Sequence, residues 1–143
     1  MKVKLLKKNA VMPKRATALS AGLDLFACID SDAVINPGQT VKIPTGIAVS
    51  LPSSAAGLIF ARSGLAVREG LVPANCVGVI DEDYRGEIIV AVYNHSENAA
   101  VIRNHDRIAQ LVITPVLYED VTEAQELDDT KRGSGGFGST GRR

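Results

Sequence analysis

The hydrophobic residues of this chain fall in short runs that alternate with polar residues. Val41 and Ile43 alternate with polar neighbours, and Ile47 and Val49 resume the alternation after a Pro-Thr-Gly break. A period of two is typical of a half-buried β-strand, and the proline and glycine indicate a kink within it. Similar short runs occupy residues 3–6, 57–60, 77–80, 88–93, 99–102 and 108–113.

Turn-forming residues separate these runs, as at residues 36–38, at intervals typical of a β-sandwich or barrel. Only residues 63–69 are predicted to be helical, for about two turns. The pattern therefore predicts an all-β fold, a jelly roll or a related antiparallel barrel or sandwich, with one short helix. The sequence DEDYRG at 81–86 lies between two runs rich in β-branched residues and is predicted to be a hairpin tip.

The composition is that of one soluble globular domain. The chain has 143 residues, of which 45% are hydrophobic and 22% charged, and its few aromatic residues predict an aliphatic core. Its zero net charge argues against nucleic-acid binding, which normally needs a basic excess. Six basic residues within 1–15 and six acidic residues within 119–129 predict two solvated segments that could pair with each other.

The cysteine spacing and the hydropathy of the chain predict the cellular compartment of the protein. Cys28 and Cys76 lie far apart and form no C-x-x-C motif, so we expect small buried residues in a reducing compartment; a disulfide is possible but not suggested. No run approaches the roughly 18 apolar residues of a membrane span. The first residues include no apolar run long enough for a signal peptide. We expect a soluble, cytoplasmic protein with no membrane partner.

Two polar clusters in the first half of the chain are candidates for chemistry. Asp24 is flanked by small and apolar residues, and it is either a turn residue that caps backbone amides or a functional acid. Arg62 and Ser63 precede the predicted helix. They indicate either an anion site at the start of that helix or a plain capping serine beside a surface arginine. Both alternatives remain open for each cluster.

Two further clusters follow. The acids at 81–83 are either a solvated turn or include a general base, because Asp81 directly follows an apolar strand and could be partly buried. The tail at 132–141 is half glycine, which predicts disorder. A lone Phe137 is unexpected in a linker, however, and Arg132 with glycine amides can enclose a phosphate. An acid, arginines, a glycine nest and an aromatic ring suit a nucleoside polyphosphate.

Other chemistries lack their signatures. His95 and His105 have no helical metal spacing and no nearby cysteine, so no zinc site is predicted. The chain contains neither a G-x-S-x-G elbow nor a Walker A loop.

Five segments resemble, in order, the five motifs of the trimeric dUTPase family. They are AGLDLFA (21–27), ARSGLA (61–66), GVIDEDYRG (78–86), RIAQLV (107–112) and RGSGGFGSTG (132–141). The resemblance implies a jelly-roll homotrimer with shared active sites that hydrolyses dUTP to dUMP and pyrophosphate with Mg²⁺. This activity keeps uracil out of DNA and supplies dUMP for thymidylate synthesis. It also implies one domain over 1–143, with a core to about residue 127 and a mobile C-terminal arm from about 128.

The resemblance assigns the nucleoside to the third motif. Asp81 is the implied base, which activates a water for attack on the α-phosphorus. Tyr84 is implied to pack on the deoxyribose and to leave no room for a 2′-hydroxyl. The uracil is implied to be accepted on the backbone around Asp81, in a pocket lined by Asn75, Gly78, Val79, Ile80 and Asp81.

The phosphates are assigned to the other motifs, contributed by further subunits. Arg62, Ser63 and Gly64 of a second subunit are implied to hold them, with a hydrogen bond from Gln110. Asp24 is implied to act on Mg²⁺ through water, without direct protein ligation of the ion. The arm of a third subunit is implied to close the site with Arg132, Phe137, Gly138 and Ser139.

Two rival functions are distinguishable by assay. The dCTP deaminase branch of the same fold needs a catalytic glutamate and a pocket for the cytosine amine. A non-catalytic nucleotide sensor has no need of Asp81, Arg132 and Phe137 together. The GVIDEDYRG segment and the phenylalanine in the tail favour the triphosphatase.

Overall fold

A computed structural model describes residues 1–136, so Phe137, Gly138 and Ser139 lie outside the described residues. Within 1–136 the chain forms eleven strands and one helix of 7 residues, and the strands pair antiparallel. The elements are β1 (Lys2–Leu5), β2 (Leu23–Phe26), β3 (Ala33–Ile35), β4 (Thr40–Pro44), β5 (Ile47–Ser50), β6 (Ala55–Phe60), α1 (Ser63–Glu69), β7 (Leu71–Pro73), β8 (Gly78–Ile80), β9 (Ile89–Asn94), β10 (Ala100–Ile102) and β11 (Arg107–Pro115). The predicted all-β fold with one short helix is confirmed.

The strands form a four-stranded sheet, a three-stranded sheet and two strand pairs. The four-stranded sheet has the order β2-β11-β6-β8, and the three-stranded sheet has the order β4-β9-β7. The pairs are β1 with β5 and β3 with β10. Most neighbours are distant in sequence, as in the Greek-key connections of a jelly roll. This crossing brings β2, β6, β8 and β11, which are well separated along the chain, into one sheet.

Strand β11 organises the candidate site because it pairs with β2 on one side and β6 on the other. Its register on β2 shifts between Arg107 and Ala109, which marks a β-bulge. A bulge bends its strand and redirects a side chain. Beyond it, Gln110 lies opposite Asp24 of β2 and Phe60 of β6. The bulge and this register set the positions of Arg107 and Gln110 relative to Asp24.

The core is aliphatic, as the shortage of aromatic residues predicts. Burying such side chains contributes about 1.5–3 kcal/mol each. Members come from most strands, and the largest that are fully buried are Leu25, Ile35, Ile43, Ile47, Leu71, Ile88, Val92, Ile102, Ile108 and Leu111.

The turn at residues 81–86 is not the tip of a hairpin, so that prediction is wrong. Strand β8 before it pairs with β6, whereas β9 after it pairs with β4 and β7 in another sheet. The Ile88 N–H donates to the Ile47 carbonyl oxygen at 2.9 Å, and the Thr45 hydroxyl donates to the Ile88 carbonyl oxygen at 2.6 Å. These bonds hold Ile88 beside the start of β5, away from β8. The prediction failed because alternation identifies strands without specifying their partners.

Residues 116–136 follow β11 without forming a strand or a helix. Most of their side chains are exposed, and the apolar Leu117, Val121 and Leu127 are 84%, 100% and 88% exposed. The acidic segment 119–129 and the basic segment 1–15 do not pair within one chain, since none of the three ion pairs in residues 1–136 involves either of them.

The two cysteines differ from each other. Both are free, with Cys28 buried and Cys76 exposed. The expectation of small buried cysteines therefore holds for Cys28 only, because Cys76 lies in a turn with a φ of 62°. Among the described residues, no helix has the length and apolar character needed to cross a membrane.

Candidate active site

Asp24 lies in β2 with only 7% of its surface exposed. Its Oδ1 accepts a hydrogen bond from Arg62 Nε at 2.8 Å, and its Oδ2 accepts one from Arg107 Nη1 at 3.2 Å. Each carboxylate oxygen thus has its own guanidinium, which satisfies a charge that burial would otherwise penalise. Asp24 lies in a strand and is not a turn cap, and its functional role stays a prediction.

Arg62 stands at the N-cap position of α1, with an extended backbone and no side-chain cap, and Ser63 is the first helical residue. The Arg62 side chain is largely buried, being 24% exposed, and it also donates from Nη1 to the Arg107 carbonyl oxygen at 3.3 Å. The plain alternative, a capping serine beside a surface arginine, is therefore wrong. Asp24 fixes the Arg62 guanidinium in place, whereas the Ser63 side chain is exposed and makes no hydrogen bond within residues 1–136.

Four of the residues predicted to bind phosphates share one small cavity of about 170 Å³ with Asp24. Its lining comes from the loop before β2, from β2, from the start of α1 and from β11. The lining residues are Ala16, Ser20, Gly22, Asp24, Arg62, Ser63, Gly64 and Gln110. The predicted grouping of Arg62, Ser63, Gly64 and Gln110 thus matches their placement within one chain.

Gln110 is held at the wall of this cavity by two contacts. Its Nε2 donates to the Ala61 carbonyl oxygen at 2.9 Å. A Cβ on Gly22 would collide with the Gln110 side chain, so glycine is needed there for close approach. One amide hydrogen of Gln110 remains for a ligand, because an NH₂ group carries two donors.

Strand β8 forms an edge of the four-stranded sheet and pairs only with β6 among the described strands. An edge strand presents a row of unpaired backbone N–H and C=O groups. A Cβ on Gly78 would lie 3.1 Å from Ile59 Cβ and 3.4 Å from Asn75 Nδ2, so the backbone packs closely there. Val79 and Ile80 complete the strand. These groups can pair with the edge of a planar base.

Asp81 follows β8 directly and is exposed, so the expectation of partial burial is not met within one chain. No part of the chain within 1–136 covers this carboxylate, because β8 is an edge strand. The Asp81 carbonyl oxygen accepts a hydrogen bond from the Tyr84 N–H at 3.1 Å. The Tyr84 ring lies against Gly86, where a Cβ would collide with it, and its hydroxyl donates to the Glu87 carbonyl oxygen at 2.9 Å.

The two groups of predicted residues do not meet in one chain. The cavity around Asp24 has no lining residue from 75–84. The space beside Asp81 is lined by Asp81, Glu82, Asp83, Arg85 and Tyr118, none of which belongs to the cavity around Asp24. Arg132 lies in the exposed C-terminal segment, where its Nε donates to the Gly135 carbonyl oxygen at 2.8 Å. A single chain within 1–136 therefore holds separate parts of a site.

Sequence reasoning missed the roles of Arg107, Glu82 and Tyr118. Arg107 stands inside a recognised motif, and a buried acid such as Asp24 needs cationic partners, which is the signal that could have found it. Glu82 accepts hydrogen bonds from the Ser54 N–H at 2.8 Å and the Tyr118 hydroxyl at 3.1 Å. No local pattern in the sequence indicates this long-range contact.

The donor set fits a magnesium ion that is held mainly by substrate. Residues 1–136 contain no group of three or more His, Cys, Asp or Glu side chains placed to hold a metal. Both Asp24 oxygens already accept from arginines, but a carboxylate has further lone pairs that can accept from a metal-bound water. Mg²⁺ usually keeps several waters and binds through substrate phosphates, so Asp24 would meet the ion through one of those waters.

Comparison with known proteins decides the family. The dUTPase family model matches residues 8–141. The chain belongs to the dUTPase family. It is 53% identical over 135 residues to the deoxyuridine 5′-triphosphate nucleotidohydrolase of Desulfitobacterium hafniense, covering 94% of this chain and 89% of that protein. It is 49% identical over 139 residues to the protein of the same name from Hydrogenobaculum sp., covering 97% and 96%.

Solved dUTPases have the same fold. The dUTPase of Staphylococcus bacteriophage 80alpha with dUPNHPP superposes with a TM-score of 0.89 at 32% identity, covering 98% of this chain and 97% of that one. A mutant dUTPase of phage phi11 of S. aureus, described as coordinating a structural Mg(II) ion, gives a TM-score of 0.81 at 27% identity, covering 90% and 98%. The expected jelly-roll fold is confirmed, and dUTPases use Mg²⁺.

Proposed function

We propose that this chain hydrolyses dUTP to dUMP and pyrophosphate at active sites that are shared between copies of a homotrimer. Family membership supports the reaction, which limits uracil in DNA. The single observation that carries the shared site is the separation of the Asp81 group from the Arg62 group within one chain. Both groups are needed around one nucleotide, so a second copy must bring them together.

Asp81 is the general base of this proposal. Its carboxylate removes a proton from a water, whose oxygen then attacks the α-phosphorus in line. The bond from the α-phosphorus to the bridging oxygen breaks, and pyrophosphate leaves with the electron pair. Placement supports the role, because Asp81 directly follows the β8 edge that would hold the base. Exposure in one chain leaves the carboxylate accessible to a substrate and to a covering subunit. General-base catalysis contributes about 10²–10⁴ in rate.

The β8 edge accounts for selection of uracil and deoxyribose. The uracil edge pairs with backbone groups of Gly78, Val79 and Ile80 and with the Asn75 side chain. Cytosine carries an amine that would be left without a matching partner there. An unpaired buried polar group discriminates by about 10⁴–10⁵, far more than a missing methylene. The Tyr84 ring is held by its hydroxyl bond to Glu87 and packs on the sugar, so a 2′-hydroxyl is excluded.

The triphosphate is bound by Arg62, Ser63, Gly64 and Gln110 of a second copy. Asp24 orients the Arg62 guanidinium through the 2.8 Å hydrogen bond, so that its remaining donors face the cavity. Bound Mg²⁺ neutralises phosphate charge, and Asp24 can accept a hydrogen bond from one of its waters.

The arm from about residue 128 to 143 closes the site of another copy. Arg132 contacts the γ-phosphate. Phe137 stacks on the uracil, and Gly138 and Ser139 bind phosphate. These last three residues lie outside the described residues. Exposure of Arg132 in the single chain supports this role. The 84–100% exposure of Leu117, Val121 and Leu127 supports a covering neighbour, since apolar surface favours burial. We place the trimer in the cytoplasm, where dUTP is formed and used.

The first test measures pyrophosphate release from dUTP, dCTP, dTTP and UTP with Mg²⁺. We expect release from dUTP alone and its loss in Asp81→Asn. Turnover of dCTP would favour the deaminase branch, and nucleotide binding without hydrolysis would favour a sensor. Either result would contradict the proposal.

A mixing experiment tests the shared site directly. Asp81→Asn and Arg62→Ala are each expected to be inactive alone. If the two are unfolded together and refolded at equal amounts, about a quarter of the sites in a ring of randomly mixed copies should pair an intact Asp81 with an intact Arg62. Each variant refolded alone is the control. Absence of restored activity, with trimers formed, would show that one chain supplies both residues.

A further inference from the structure

The turn that carries Asp81 is fastened to the rest of the chain by the residue that follows it. Of the three consecutive acids, Asp81 and Asp83 are exposed and their carboxylates make no hydrogen bond within residues 1–136. Glu82 is half-buried, and its Oε2 accepts from the Ser54 N–H at 2.8 Å and from the Tyr118 hydroxyl at 3.1 Å. One carboxylate oxygen therefore joins three parts of the chain.

The partner of Glu82 at Ser54 directly adjoins the four-stranded sheet. Ser54 precedes β6 and has a left-handed φ of 55°, which is uncommon for a residue other than glycine. Its carbonyl oxygen accepts from the Val116 N–H at 2.9 Å, next to the pairing of Ala55 with Pro115. The anchor is thus fixed by β6 and β11, which pair with each other along the whole length of β6.

Tyr118 connects the same carboxylate to the root of the C-terminal arm, by which we mean residues 116–127 between β11 and the arm itself. It lies three residues beyond the end of β11, where residues 116–136 leave the sheet. The pKa of Tyr118 is raised, first by local desolvation of its hydroxyl and then by its hydrogen bond to Glu82. The negative charges of Glu82, Asp81 and Asp83 raise it further. The phenol therefore keeps its proton and can donate throughout the neutral range.

The backbone of the turn has a second restraint from Arg85. Its Nη1 donates to the Glu82 carbonyl oxygen at 2.6 Å and to the Tyr84 carbonyl oxygen at 2.9 Å. With the Tyr84 N–H bonded to the Asp81 carbonyl oxygen, the turn is closed on itself and attached to the sheet through Glu82. Within residues 1–136 the Asp81 side chain makes no hydrogen bond, so its orientation depends on the backbone of the turn, which Glu82 attaches to the sheet.

We propose that Glu82 is a positioning residue for the hydrolysis, which anchors the Asp81 turn to Ser54 and to the root of the arm at Tyr118. The inference rests on the proposed function, in which Asp81 must meet a water and a phosphorus in line. A misplacement of about 1 Å can cost about 10²-fold in rate. Loss of the anchor should therefore reduce kcat more than it changes KM, because Glu82 is not among the residues proposed to bind the nucleotide and its Oε2 already accepts hydrogen bonds from Ser54 and Tyr118.

The test compares Glu82→Ala, Glu82→Gln and Tyr118→Phe in the full-length protein, with pyrophosphate release measured against dUTP concentration. Glu97→Ala is the matched control, since Glu97 is an exposed carboxylate whose side chain makes no hydrogen bond within the described residues. We expect Glu82→Ala to lower kcat about tenfold with KM changed less than about twofold. Glu82→Gln should recover most of kcat, because its amide oxygen can accept both hydrogen bonds. Tyr118→Phe should give a smaller loss, and none when added to Glu82→Ala.

Several results would overturn the inference. A kcat of Glu82→Ala equal to that of Glu97→Ala would show that the anchor is only structural. A Glu82→Gln variant as slow as Glu82→Ala would show that charge matters and not anchoring. If Glu82→Ala does not fold, Glu82→Gln and Tyr118→Phe still decide, and an unchanged kcat in Tyr118→Phe would refute the coupling to the arm. A wild type that leaves dUTP intact would refute the proposed function itself, whereas active wild type with an unimpaired Glu82→Ala refutes this inference alone.

Discussion

Replacement of Asp24 by asparagine separates the charge of this residue from its shape. The amide has nearly the same size, but it has one acceptor oxygen and one NH₂ group in place of two acceptors. If the amide oxygen faces Arg62 Nε, the NH₂ group faces Arg107 Nη1. In the reverse orientation the NH₂ group faces Arg62 Nε. A donor then points at a donor in a site that is 7% exposed. No orientation of the substituted amide satisfies both arginines.

The magnitude follows from the exposure of each partner. The Asp24 and Arg62 side chains are 10% and 24% exposed, so their bond counts as a largely buried, charge-assisted one worth about 1.5–3 kcal/mol. The Arg107 side chain is 48% exposed, so solvent screens its ion pair with Asp24, which contributes about 0–1 kcal/mol to stability. The expected loss for Asp24→Asn is therefore about 1.5–4 kcal/mol. A misdirected Arg62 should also weaken phosphate binding and raise the KM for dUTP about tenfold, equivalent to about 1.4 kcal/mol.

The assay is urea unfolding at one fixed protein concentration, followed by steady-state kinetics of the folded variant. Asp32→Asn is the matched control, because Asp32 and Arg103 form an exposed ion pair at 3.7 Å, with side chains 58% and 67% exposed. Its loss should be at most about 1 kcal/mol, with KM unchanged. Equal stability losses in the two variants, or an unchanged KM in Asp24→Asn, would refute the claim that Asp24 orients Arg62.

Three further predictions address the fold, the anchor and the metal. Gly70→Ala should destabilise by about 2–4 kcal/mol in urea unfolding, because Gly70 has a φ of 67° and an added Cβ would lie 2.9 Å from the Ser96 backbone nitrogen; a loss below about 0.5 kcal/mol would contradict this. In an ultraviolet titration, Tyr118 should ionise above the ordinary pKa of 10.0, and Glu82→Gln should lower that pKa. The raised pKa means that Tyr118 contributes its stability fully below pH 10.0 and loses it as pH rises through the folded-state value. Chelation of Mg²⁺ should slow dUTP hydrolysis without lowering the Tm of the ligand-free protein, because Asp24 is already paired with arginines; a lower Tm would indicate a structural metal.

Local patterns predicted much of the fold. The helix α1 begins and ends where its periodicity indicated, and the run predicted at 108–113 lies within β11. Strands β2, β3 and β7 were not predicted. In β2 the reason is that an acid within a short apolar stretch is equally typical of a turn. The hairpin error at 81–86 has another cause. Strand pairing is decided by contacts such as Ile89 with Pro44, which lie far apart in the sequence.

The candidate site was predictable as residue types and not as geometry. The motifs led to Arg62 and Gln110, and both line one cavity. They gave no indication that Asp24 binds two arginines, because one of those partners reaches it across a bulge in β11. The burial of Asp81 was misjudged, since alternation shows which residue ends a strand but not whether that strand lies at a sheet edge.

The charges at the cavity bear on the proposal that a second copy completes the site. Arg62 and Arg107 bring two positive charges and Asp24 removes one, so a single positive charge remains there. A triphosphate carries several negative charges, and phosphoryl transfer depends on stabilising them as the leaving group departs. The remaining positive charge needed to balance the triphosphate must come from Mg²⁺ and from cations outside the cavity. Arg132 is the exposed arginine of the family's last motif, and within residues 1–136 its Nε bonds only a neighbouring carbonyl oxygen. An arm that brings this charge from another copy only when nucleotide is bound would make hydrolysis depend on closure, because the open site lacks the positive charge to stabilise the leaving pyrophosphate.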